Sequence, residues 1–143
     1  MAKMKAILVA VDGSQCSDRA VHHALDLLAA GIAAELHLLN VQPNLGGAVA
    51  TFIAKEQLDA YRRDEGTKAV ASAVEIAKKA AVPAKAHIGV GRHGEVTSDF
   101  VQKLEAGLVV IGTRGHTGLT GVLLGSVAQD VIAHVNVPIT LVK

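Results

Sequence analysis

The residues most able to do chemistry lie in a glycine-rich stretch that starts at Gly112-Thr113-Arg114-Gly115 and continues through Gly118 and Gly121 to Gly125-Ser126. It is flanked by an apolar strand-like segment, Leu108 to Ile111, and a helix-like one, Val127 to His134. Glycines at the end of a buried strand let backbone amides approach a ligand. A Gly-Ser pair opening a helix leaves unpaired N–H groups pointing outward, which suits phosphate. A second piece, Asp12-Gly13-Ser14, follows the first apolar run. Together the two suggest a nucleotide.

Each residue also has a plainer reading. Asp12 either accepts hydrogen bonds from a ribose, or through water holds a divalent cation near phosphate, or caps the turn that follows it. Ser14 is explained equally by helix capping. Gly112, Gly115, Gly125 and Ser126 either surround phosphate or form a glycine loop ending in an ordinary cap, and Gly118 and Gly121 serve loop freedom. Arg114 and His116 either approach phosphate or face solvent. Gly121 to Ser126 approaches the mononucleotide phosphate-loop pattern but lacks its lysine, which favours binding over rapid hydrolysis.

Other chemistries find little support. The seven histidines include no His-Glu-x-x-His pair, so no metal centre built from histidine is expected. Ser14 lacks the Gly-x-Ser-x-Gly elbow of a serine hydrolase. Cys16, the single cysteine, excludes an intrachain disulfide, suits a reducing compartment and is assigned no catalysis. No catalytic residue is named.

The elements that must position these groups follow from periodicity. Ala6 to Val11 is continuously apolar, as in a parallel strand covered on both faces. From Ser17 to Ala30, apolar residues recur at helical spacing, with Ser14 or Ser17 as N-cap and Gly31 as stop. A strand at Glu35 to Val41 completes a crossover unit, and Gln42 to Ala50 reads as a loop. A long helix starts between Thr51 and Gln57 and runs to about Ala80, with Leu58, Tyr61, Val70, Ala73, Val74 and Ala77 giving a broken apolar stripe and Gly66 a weak point. Strands at Ala84 to Val90, Leu108 to Ile111 and Ile139 to Val142 alternate with helices that start after the turn Gly91 to Gly94 and near Ser126. Five strands and four helices make an open α/β sandwich in one domain. Ligands of such sheets sit beyond the carboxyl ends of the strands, where strand order reverses. Asp12 and Gly112 both reach that edge.

Composition narrows the partners. Fourteen basic against thirteen acidic residues give a formal charge of +1, so no global field draws nucleic acid or an anionic membrane. No apolar run before Val11 is long enough for an export signal or a membrane span, and a cytoplasmic protein is expected.

The order and spacing of Ile7-Leu8-Val9-Ala10-Val11-Asp12-Gly13-Ser14, of Gly112-x-x-Gly115 with nine residues before Gly125-Ser126, and of Val137-Pro138-Ile139-Thr140-Leu141-Val142 resemble the universal stress protein family, of the small single-domain type, over nearly the whole chain. The resemblance implies strand order 3-2-1-4-5 and an ATP site, with Mg2+ or Mn2+ as the accompanying cation. In it Asp12, beside Gly13 and Ser14, meets the ribose region, and Val41 meets adenine through its backbone. Gly112, Gly115, Gly125 and Ser126 surround the phosphates, and Gly89 to Gly91 borders adenine. It also implies a homodimer in which the last strand pairs with its two-fold mate, which answers the problem of an apolar edge at Ile139 to Val142.

The leading expectation is a nucleotide-responsive stress or signalling module, acting on an unidentified protein partner, with at most slow ATP hydrolysis. An ATP-dependent hydrolase or ligase, and a nucleotide-free adaptor dimer, are the competing readings.

Overall fold

A computed structural model describes residues 4–44, 54–116 and 124–143. The expected loop positions 45–50, Thr51 as a helix start, and Gly118 and Gly121 fall outside the described residues. The elements run β1 (Ala6–Ala10), α1 (Gln15–Ala29), β2 (Glu35–Gln42), α2 (Lys55–Lys79), β3 (Ala84–Val90), α3 (His93–Leu104), β4 (Ala106–Gly112), α4 (Ser126–His134) and β5 (Ile139–Val142). The sheet has the expected order β3-β2-β1-β4-β5, and every adjacent pair is parallel.

Alternation along the central strands explains why an uninterrupted apolar run is needed. Ile7, Val9 and Val11 join α1 and α2 in one core layer through Val21, Ala24, Val70 and Ala73. Ala6 and Leu8 point the other way and pack with Val101 of α3 and Val131 of α4. With helices on both faces, neither set of side chains can be polar.

Two expectations about α2 are corrected. Tyr61 and Val74 are 54% and 38% exposed, because α2 rests on the sheet along the narrower stripe Leu58, Gly66, Val70, Ala73 and Ala77. Gly66 is no weak point: the helix is continuous through it. A Cβ there would sit 2.7 Å from Ile88 Cδ1, so the glycine lets α2 lie close on β3.

A polar chain crosses β2 and β3 on the α3 face. Buried His37 has Nδ1 2.8 Å from His87 Nε2 and Nε2 3.0 Å from Glu35 Oε2, an arrangement met by His87 donating to His37 and His37 donating to the carboxylate. The His37 hydrogen bond, with Lys85 next in weight, holds Glu35 below the usual carboxylate range. Burial, then the charges of His37, Lys103 and Lys85, push His87 below its ordinary value. The unfolded chain therefore takes up a proton near pH 6.5 that the folded chain still refuses. His87 thus contributes stability that is full above that pH and lost as pH falls through the lower folded value. Urea unfolding at pH 7.5 and 5.5 is expected to show a drop in midpoint that is smaller in His87→Gln, and an equal drop in both proteins would remove His87 from this role.

Candidate functional site

The chain from β1 into α1 is built around Asp12. Asp12 Oδ1 accepts from Ser14 N at 2.9 Å, and Asp12 N donates to Ser17 Oγ at 3.1 Å. Gly13 takes φ +83° to make that turn, and a Cβ there would lie 3.3 Å from the Ala69 carbonyl oxygen of α2. Ser14 is buried and caps α1, its Oγ accepting from Ser17 N at 3.2 Å. Its side chain is thus committed to the helix, and it lines a smaller hollow beside the main cleft.

That main cleft, of about 660 Å³, opens where strand order reverses between β1 and β4. Asp12, Gly13, Val41, Gly112, Gly115, Gly125 and Ser126 all line it. Val41 presents more than a buried side chain. Leu39 O accepts from Val11 N on the β1 side, and Gln42 O accepts from Gly91 N on the β3 side. Since backbone direction alternates along a parallel ladder, Val41 turns its N–H and C=O toward the β1 side, past the point where β1 ends. Asn40 Nδ2 occupies the Val11 carbonyl at 2.8 Å, which leaves that edge of Val41 facing the cleft.

The glycines have distinct duties. At Gly112 a Cβ would meet Cys16 Sγ at 2.8 Å, so this glycine lets α1 pack on the end of β4. At Gly115 a Cβ would meet Asp12 Oδ2 at 2.7 Å, which brings the β4 loop directly onto the carboxylate. The Gly125 amide already donates to Thr113 O at 2.6 Å. The donors expected from the Gly125-Ser126 pair are therefore the amides one step on: α4 begins at Ser126, has no side-chain cap at Gly125, and puts Ser126, Val127 and Ala128 on the cleft wall. Those first-turn N–H groups carry the partial positive charge of the helix N-terminus.

The charged lining is mixed. Lys68, Arg114, His93 and His116 supply positive or titratable groups, against Asp12 and Glu65. His116 Nε2 lies 2.6 Å from Asp12 O, tying the loop to the β1 turn. His93, on the first turn of α3, is held below its ordinary value by burial, opposed by Asp130 and Asp12. His93, Thr97 and Thr113 also line the cleft, and no motif in the sequence singles them out. The turn Gly91 to Gly94 was legible, but nothing in its spacing said that the histidine would face β1.

Comparison with known proteins decides the family. The model for the "Universal stress protein family" matches residues 3–143. The chain belongs to the universal stress protein family. It is 31% identical over 142 residues to a universal stress protein of Methanocaldococcus jannaschii, covering 97% of this chain and 82% of that one. Among solved structures it is similar to the hypothetical protein MJ0577, with TM-score 0.81 and 25% identity over 99% of this chain and 97% of the other. It is also similar to the universal stress protein of Archaeoglobus fulgidus in complex with dAMP, with TM-score 0.70 and 25% identity, covering 99% of this chain and all of the other, 100%. In this chain Gly112, Gly115, Gly125 and Ser126 stand around one cleft with Asp12.

Proposed function

We propose that this universal stress protein is an adenine-nucleotide-binding module that takes ATP in the cleft between β1 and β4. The observation that carries the reading is the convergence on one crevice of three unlike surfaces. These are the carboxylate of Asp12, the open backbone edge of Val41, and the uncapped α4 N-terminus at Ser126. A ribose hydroxyl donates to the first, an adenine edge pairs with the second, and phosphate oxygens accept from the third. The dAMP complex of the Archaeoglobus relative supports an adenine nucleotide as the ligand class. The cleft volume is within the range of small-molecule sites.

The donor set fits Mg2+ or Mn2+ only as an ion carried in with phosphate. Among the described residues no three His, Cys, Asp or Glu side chains group to hold a metal. Asp12 is the carboxylate that would hold it, together with water and phosphate oxygens.

Slow hydrolysis at most is consistent with a cleft that offers no positioned lysine in the glycine loop and no assigned base. The bound nucleotide would set the surface shown to a signalling partner in the cytoplasm. A homodimer through β5 fits the edge position of that strand, where Leu141 is 43% exposed. No described helix is long and apolar enough to cross a membrane.

Titration with ATP, ADP and AMP, with and without Mg2+, tests the reading. Saturable binding to wild type with turnover below about one per minute is expected. Rapid turnover abolished by Asp12→Ala would establish the hydrolase instead, and no binding at millimolar ATP would favour the adaptor.

A further inference from the structure

Thr113, the first residue after β4, is held by its backbone from two sides. Its N–H donates to Val142 O at 2.8 Å, and its carbonyl accepts from Gly125 N at 2.6 Å. The residue is 5% exposed, and its hydroxyl oxygen is buried with no hydrogen-bond partner among the described residues. Yet Thr113 lines the main cleft, next to the first turn of α4. A buried hydroxyl without a partner is unfavourable, and native proteins leave few of them unexplained. The neighbouring α4 N-terminus also presents backbone N–H groups and no side-chain cap, so a shared acceptor would satisfy both.

We propose that the Thr113 hydroxyl is a phosphate-positioning donor, aimed at the same anionic oxygen group that the first-turn amides of α4 receive. This rests on the nucleotide reading of the cleft and adds a donor that neither the glycine pattern nor Asp12 supplies. The backbone bonds to Val142 and Gly125 hold the Thr113 main chain in place before any ligand arrives, so only its side-chain torsion is left to order. That pre-organisation keeps the ordering cost of the contact low. Because Thr113 N reaches the last strand and Thr113 O reaches the start of α4, phosphate at this point links β4, β5 and α4 through one residue.

Thr113→Val keeps the shape and removes the donor, whereas Thr113→Ser keeps the donor and trims the methyl. Both are to be titrated with ATP and with tripolyphosphate, which carries the anion without adenine, and melted without ligand. Thr113→Val is expected to bind both ligands about tenfold more weakly than wild type, with Thr113→Ser staying within about threefold. Without ligand, Thr113→Val is expected to melt no lower than wild type, since a hydroxyl lacking a protein partner has nothing to lose. Equal ATP affinity in wild type and Thr113→Val would overturn the role of the hydroxyl while leaving the nucleotide reading intact. A loss for ATP with none for tripolyphosphate would overturn its assignment to phosphate. A marked fall in melting temperature of ligand-free Thr113→Val would show a structural partner and overturn it too. Wild type that binds neither ligand would overturn both this inference and the reading beneath it.

Discussion

Replacing Gly94 by alanine lowers the unfolding free energy by about 3 kcal/mol, a fall of roughly 10 °C in melting temperature. Gly94 sits in the first turn of α3, where backbone conformation alone would accept alanine. What forbids it is α4. A Cβ would overlap the Asp130 carbonyl oxygen, lie 2.8 Å from the Asp130 carbonyl carbon, and lie 2.5 Å from His134 Nδ1. The obstruction is helix backbone, which cannot rotate out of the way as a side-chain tip can. The Gly94 amide also donates to Asp130 Oδ2 at 2.7 Å, a bond to a charged acceptor that is lost if the helices separate. His134 Nδ1 lies 2.8 Å from Asp130 O, so the same displacement disturbs the end of α4. Thermal melts of Gly94→Ala and Gly66→Ala make a matched comparison. At Gly66 the atoms nearest the added methyl all belong to the Ile88 side chain, which can shift, and a smaller loss is expected. Equal losses would show that α3 and α4 are not in the close contact described.

Gly115→Ala produces the second large effect, on binding. Its methyl would sit 2.7 Å from Asp12 Oδ2, and the carboxylate can yield only by turning. That movement strains the bond from Ser14 N to Oδ1, which sets the exit from β1. Gly115 is exposed and lies outside the positive-φ region, so little stability is at stake. A tenfold or greater loss of ATP affinity with nearly unchanged melting temperature is expected, equivalent to about 1.4 kcal/mol or more. Asp12→Ala should weaken binding by a similar factor, and the double variant should be scarcely worse than either single one, since both act on one carboxylate. Additive losses would place the Gly115 effect elsewhere in the loop.

Much of this arrangement was legible in the residues, for identifiable reasons. The apolar run from Ala6 to Val11 requires cover on both faces, and Ile7 and Leu8 do enter opposite core layers. Periodicity says nothing about which strand neighbours which, so the order 3-2-1-4-5 came from the family resemblance. Tyr61 and Val74 share the apolar stripe yet stay exposed, because helical spacing identifies a face but not how much of it the sheet covers. Gly112 shows a different limit. A glycine required by close approach looks the same in sequence whether the neighbour is a ligand or, as at Cys16, another part of the chain. Thr113 carried no motif of its own, and its significance lies in a hydroxyl that the described residues leave unpaired.

Backbone amide NMR spectra recorded during a titration with ATP and Mg2+ test the central claim most directly. Binding in the crevice between β1 and β4 predicts saturable shifts at Gly13, Val41, Gly115 and the first-turn amides Ser126, Val127 and Ala128, with residues on the α1 and α2 outer surfaces unmoved. A saturated spectrum in which the Ser126 to Ala128 amides keep their positions, or in which shifts gather away from Asp12, would contradict it.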